Sequence, residues 1–132
     1  MMNRASAEPI SAILALNSAI RYVAIYRDGR LQSQQASQLD NASSAESDKY
    51  EELIVNPALL LLARQRGSID CGGAKFVIVG YGSFTQLVID IGSGGHVSVA
   101  FELGVNPFRY LADIGQLLGL TFSLNEYSNS AT

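Results

Sequence analysis

The stretch from Ala74 to Leu103, AKFVIVGYGSFTQLVIDIGSGGHVSVAFEL, narrows the folds open to this chain more than any other segment. Gly82-Ser83 and Gly92-Ser93-Gly94-Gly95 cut it into three strand-length pieces. Each is rich in Val, Ile, Phe and Tyr, which suit a pleated, half-buried surface. Connections this short join only antiparallel neighbours, so the stretch reads as a three-stranded meander. In its last strand Val97, Val99, Phe101 and Leu103 alternate with the smaller and more polar His96, Ser98, Ala100 and Glu102. In the middle strand Thr85, Leu87, Ile89 and Ile91 alternate with Phe84, Gln86, Val88 and Asp90. The first strand has no polar face: Phe76, Ile78 and Gly80 oppose Val77, Val79 and Tyr81. A strand apolar on both sides is covered on both sides, so the sheet requires helices above and below.

The flanking sequence supplies those helices. Residues from Ala7 to Leu16 read as the first, with Ser6 as N-cap and Pro9 in the first turn. The run ISAILALNSAI after Arg4 has the apolar character of a secretory leader, but Glu8, Pro9 and Asn17 argue against one. In RYVAIYRDGRLQSQQ, Asp28-Gly29 is a strong two-residue hairpin signal, and the returning strand is polar enough to be a solvated edge. Residues 33–47, SQQASQLDNASSAES, are polar and low in complexity, which predicts a mobile loop.

A second helix is expected from Asp48 to Gln65, capped by Ser47, with Glu51 and Glu52 on its exposed start near the positive end of the dipole. Pro57 predicts a kink or break near Asn56, and Gly67 the end. Tyr50, Leu53, Ile54, Pro57, Ala58 and Leu61 form one apolar stripe, and Leu59, Leu60 and Leu62 carry it around the circumference. A helix apolar all round needs cover on more than one side. One sheet supplies one neighbour, and a second copy of the chain would supply another. Asn106 as N-cap and Pro107 at the first helical position start a third helix, with Phe108, Leu111, Ile114 and Leu118 on one face and Gly119 just past its end. The polar tail, residues 120–132, is expected to be flexible.

With 132 residues the chain is long enough for one domain, expected to cover residues 7–119. Hydrophobic residues make up 48% and charged residues 16%, a globular balance, and a net charge of −3 offers no electrostatic case for nucleic acid. The uncharged run from Leu53 to Ala63 is too short to cross a bilayer, so no membrane insertion is expected. The single cysteine, Cys71, excludes an internal disulfide and suggests a reducing, cytoplasmic setting.

The catalytic inventory is thin. His96 is the only histidine, so no histidine cluster can hold a metal, and a structural or solvated role is expected for it. Cys71 sits in DCGG, a turn, and a Cys71–His96 dyad would need an orienting group and a pocket. Neither Gly80-Tyr81-Gly82 nor the GSGG run continues into a phosphate-binding helix motif. Asp90-Ile91-Gly92 is similar to the phosphate loop of sugar kinases and actin, but the chain has no room for their second domain. An acid–base pair would need Asp90 beside Glu102, or one of them beside Lys75 or Arg109. No motif with a mechanism survives, so no catalytic, cofactor-binding or metal-binding residue and no cofactor are expected.

The strand-turn-strand VAIYRDGRL, the apolar second helix, the meander and the terminal helix NPFRYLADIGQLL together resemble the Roadblock type of dynein light chain, with a profilin-like fold. The resemblance covers roughly residues 8–119, and Pro57 and the long polar loop depart from it. It implies an α+β fold of order α-β-β-α-β-β-β-α. Its antiparallel sheet has five strands in the order 2-1-5-4-3, with the first and third helices on one face and the second on the other. It also implies a non-enzymatic homodimeric scaffold or regulator that binds a Ras-like small GTPase; relatives sit on dynein, on lysosomal signalling scaffolds and beside bacterial polarity GTPases. Two other readings stand beside it: a profilin-like small-molecule sensor domain, and an assembly adaptor without a GTPase. A buried pocket with convergent polar groups would favour the sensor.

In the implied strand order Phe76–Tyr81 lies at the sheet edge, with only Lys75 to blunt it. A two-fold axis beside this strand would pair it with its twin and stack the two second helices. The expected dimer contacts are Leu53, Leu60 and Leu61 on the helix and Phe76, Val77, Ile78, Val79 and Tyr81 on and just after the strand.

Overall fold

Five strands form one antiparallel sheet: β1 Ile20–Arg27, β2 Arg30–Gln35, β3 Phe76–Gly80, β4 Phe84–Gly92 and β5 Gly95–Glu102. Their spatial order is β2-β1-β5-β4-β3, as the resemblance implied. The computed structural model describes residues 4–36, 45–120 and 124–128. Asp28 and Gly29 make the β1–β2 turn at φ of 55° and 78°, the left-handed pair that a two-residue hairpin requires.

Register places the larger side chains on one face. Val99 sits between Val23 and Leu87, and Val97 between Ile25 and Ile89. With Phe101 these residues form the main core, closed by Ile10 and Ile13 of α1 (Arg4–Leu14) and by Leu111 and Ile114 of α4 (Leu111–Leu118). Each fully buried Ile, Leu or Phe contributes roughly 1.5–3 kcal/mol, so this face carries most of the stability. Among the described residues of the tail, Leu124 is 2% exposed and leads into the short α5 (Asn125–Ser128), where Tyr127 meets Phe76 edge-on at 4.9 Å. The apolar positions that pack there were hidden in a polar stretch.

The opposite face is built from smaller and more polar groups: Ala24, Ser98, Ala100, Gln86 and His96. One continuous helical rod, residues 45–70, lies over it. The rod consists of α2 (Ala45–Tyr50), a wide π turn (Glu51–Val55) and α3 (Asn56–Asp70).

Several element ends depart from the sequence reading. The first helix begins at Arg4, so Ser6 lies inside it and does not cap it. The expected loop 33–47 is shorter at both ends: Ser33 to Gln35 pair with β1, and residues 45–47 already belong to the rod. Its centre, residues 37–44, lies outside the described residues. The rod continues past Gln65 to Asp70, because Gly67 is needed within the helix and not after it. The third helix follows expectation: Asn106 Oδ1 accepts from the Phe108 N–H at 3.0 Å, residues Pro107–Tyr110 form a tight 3-10 turn, and Gly119 closes α4 at φ 68°.

Gly67 tests this packing. A Cβ there would stand 2.8 Å from the carbonyl carbon and oxygen of Gly73, which is backbone and cannot swing aside. Alanine would gain about 1 kcal/mol in helix propensity, whereas forcing backbone apart costs about 1–3 kcal/mol. Gly67→Ala is therefore expected to gain nothing in urea denaturation and to lose up to about 2 kcal/mol. A variant more stable than the wild type would contradict this packing.

Candidate functional site

Pro57 has no N–H to give to the preceding turn, and its ring crowds the carbonyl four residues back. The chain answers by widening one turn: the Asn56 N–H bonds to Glu51 O, five residues back. The expected kink or break near Asn56 is thus a π turn, and the rod runs on. The extra residue also resets the phase of the helix. Glu52, Asn56, Leu60 and Gly67 face the sheet and are buried. Tyr50, Leu53, Ile54, Leu61 and Leu62 face outward at 44–64% exposure.

This placement overturns the reading of Glu52 as part of an exposed helix start, and of the two roles expected for His96, structural or solvated, it gives the structural one. Glu52 is fully buried, and His96 is 1% exposed. Glu52 Oε1 lies 2.7 Å from His96 Nε2 and accepts from Asn56 Nδ2 at 3.0 Å; Oε2 accepts from the Ser98 hydroxyl at 2.6 Å. Tyr26 stacks on the imidazole with centroids 5.8 Å apart. A carboxylate already accepting two hydrogen bonds takes a third from His96, which places a proton on Nε2. His96 Nδ1 and Asn56 Oδ1 have no partner among the described residues.

This cluster is built for holding, not for turnover. Ser98 gives its proton to the carboxylate and not to the imidazole, so no base activates it as a nucleophile, and no solvent reaches it. The other candidates are dispersed. Cys71 is exposed beside Asp70 at the end of the rod, with no contact to His96. Asp90 pairs with Arg64 at 2.9 Å, Glu102 with Arg21 at 3.1 Å and Lys75 with Glu126 at 3.8 Å, so Asp90 and Glu102 form no acid–base pair. Among the described residues no group of His, Cys, Asp or Glu is arranged to hold a metal.

Acidic groups crowd the start of the rod. Burial, then the Glu52 and Asp48 charges, pushes the Glu51 carboxyl up, against a hydrogen bond from Tyr81 at 3.0 Å. Burial and Glu52 likewise raise Asp48, against a bond from Gln35. Burial and Glu51 push Tyr81 up to about 12. Burial and Glu52 also raise Tyr22, whose hydroxyl lies beside Glu52 without a well-formed hydrogen bond.

Of the expected dimer contacts, Leu53 and Leu61 point outward at 44% and 45% exposure. Leu60 is 2% exposed and packs into its own protomer, one turn beyond Asn56 on the buried face of the rod. β3 is the edge strand; its Phe76 and Ile78 lean on the main core, while Val77 and Val79 share the face beneath the rod. Tyr81 is tied to Glu51.

An antiparallel five-stranded sheet ordered 2-1-5-4-3, with the terminal helices on one face and a long helix on the other, is a profilin-like α+β architecture. Among solved structures this is the fold of the Roadblock/LC7 domain. A Roadblock/LC7 domain from Streptomyces avermitilis is 18% identical, covers 93% of this chain and 91% of its own, and superposes with a TM-score of 0.61. The gliding protein MglB from Thermus thermophilus is 15% identical, covers 97% and 91%, and reaches 0.64. MglC from Myxococcus xanthus is 8% identical, covers 96% and 98%, and reaches 0.55. Neither a family model nor a curated protein matches the sequence.

Two predictions follow from the cluster and its rim. Glu52→Ala strands the hydrogen-bond donors of His96, Ser98 and Asn56, and breaking such a buried arrangement costs about 3–5 kcal/mol. Urea denaturation should show that loss, and a change within experimental error would show that the cluster holds nothing. For Glu51, the folded carboxyl titrates above its ordinary 4.5. The folded state therefore binds more protons than the unfolded one between those two values, and this group's contribution to stability falls as pH rises through that window. Glu51→Gln, which keeps an oxygen for Tyr81, should be more stable than wild type at neutral pH, with the difference closing as pH drops below the window. A difference independent of pH would contradict the reading.

Proposed function

We propose that this chain is a non-enzymatic scaffold or regulatory domain that works as a homodimer and binds a Ras-like small GTPase in the cytoplasm. The observation that carries the dimer is the orientation of the rod. It turns Glu52 and Asn56 toward the sheet and Tyr50, Leu53, Ile54, Leu61 and Leu62 toward solvent. A contiguous apolar stripe on the outside of a small domain marks an interaction site. β3 lies beside it as an unblunted sheet edge, the kind of edge that pairs with another strand. A two-fold axis next to β3 would join both surfaces at once, since each copy offers the other the same patch.

Likeness of fold supports the rest of the proposal. MglB is named as a gliding protein, and one MglB structure, 16% identical with a TM-score of 0.65, has a tetrameric arrangement. Roadblock-type domains are regulators and scaffolds, and the GTPase partner is what the resemblance implies. The buried Glu52–His96–Ser98 arrangement, closed to substrate, agrees with a role outside catalysis. No described helix is long and apolar enough to cross a membrane.

Sedimentation equilibrium at micromolar concentration should return a dimer. Leu61→Glu and Leu53→Glu put charges on exposed positions that a folded monomer tolerates, so each should yield a folded monomer. A monomeric wild type would remove the dimer. Affinity capture from the source cell, with and without added GTP, should retain a Ras-like GTPase through the wild type and lose it through the monomeric variants. Capture that is empty of any GTPase under both conditions would leave an assembly adaptor as the better reading.

A further inference from the structure

A cavity of about 350 Å3 opens on the inner side of the rod, between its first turns and the strands β1, β4 and β5. Tyr22 and Gln86 line it from the sheet, Tyr81 and Phe84 from the β3–β4 connection, and Asp48 and Glu51 from the rod. Gln86 is 2% exposed and its Nε2 has no partner among the described residues, whereas the Tyr22 hydroxyl lies beside Glu52. Buried polar groups are ordinarily satisfied, so a buried amide donor that is not, in the lining of a cavity, points to a missing partner.

The charge around the cavity says what that partner is. Asp48, Glu51 and the buried Glu52 line it against a single cation, Arg21, whose guanidinium is already bound by Glu102 at 3.1 Å. The carboxylates do not converge tightly enough for a metal ion. An organic cation needs no such convergence. Tyr81 supplies aromatic surface of the kind that attracts organic cations, while the Phe84 ring, its centroid 5.1 Å away, already has the Arg21 guanidinium 5.8 Å from its centre. The unpartnered Gln86 amide needs an acceptor.

We propose that this cavity binds a small organic cation, a primary amine or guanidine, that carries a carbonyl or hydroxyl oxygen near its charge. The cationic nitrogen sits between the Asp48 and Glu51 carboxylates, and the oxygen accepts from Gln86. Its volume is at the small end of ligand pockets. The site is on the face of the rod opposite the Leu53–Leu61 stripe, so it stands or falls separately from the dimer.

The test is a titration of the full chain with L-alaninamide at neutral pH, followed by NMR at the Gln86 side-chain amide and the backbone amides of residues 81–86. L-lactamide, which carries a neutral hydroxyl in place of the ammonium, is the control. Saturable shifts at these amides are expected with millimolar or tighter affinity. Binding should weaken about tenfold or more for lactamide and for Glu51→Gln, because a charge-assisted hydrogen bond is lost in each case. Gln86→Leu should also weaken it, while Leu61→Glu, on the outer face, should not. Should Gln86→Leu fail to fold, Glu51→Gln at its half-buried position carries the comparison alone. Shifts that stay linear with concentration, that map to other amides, or that lactamide reproduces with equal affinity overturn the proposal.

Discussion

A single buried carboxylate joins the two halves of this molecule. Glu52 comes from the rod and His96 and Ser98 from β5, and their hydrogen bonds are the fully buried polar anchor between the layers, which also meet through small side chains and, nearer solvent, through Arg64–Asp90 and Gln35–Asp48. The main core, on the far side of the sheet, would form without it. The rod would not sit in one register, because Ala24, Ala100 and Ser98 offer a shallow surface on which a helix can slide. Taking a charge out of water is costly; Asn56 travels with the rod, but the hydrogen bonds from His96 and Ser98 offset that cost only at one position of it. Specific seating is gained at little net stability, as in other buried polar contacts that set a register.

That anchor decides where the leucines go. Turning Glu52 and Asn56 inward leaves Leu53, Ile54 and Leu61 outward, a distribution opposite to that of a helix that merely covers a sheet. The apolar stripe and the polar anchor are two sides of one rotation. On the other face of the sheet, burial is conventional, and helices and strands meet through Ile, Val, Leu and Phe.

Local features of the chain were legible wherever a short-range rule applied. Alternation in the meander, the Asp28-Gly29 turn, the Asn106 cap and the Gly119 terminator each depend on neighbouring residues, and each stands where the pattern placed it. The strand order came from resemblance, since no local signal says that β5 lies between β1 and β4. The Glu52 cluster was not legible, because its partners are 44 and 46 residues away and the adjacent Glu51 suggested a solvated pair. Pro57 did announce an irregularity. Whether a helix kinks or widens depends on what the next turn can bury, and that is a tertiary property. Leu60 was misassigned to the outer surface because a helix apolar all round carries no local signal of which side the sheet will cover.

The π turn itself amounts to one residue more than a regular helix of that span would hold. Removing one amino acid between Glu51 and Val55 would restore uniform winding while leaving the two flanking segments close to their present azimuths, because the wide turn has already absorbed the additional residue. An indel confined to this turn is thus a route by which related chains can gain or lose the carboxylate that faces β5 without turning either the outer stripe or the acidic lining of the cavity.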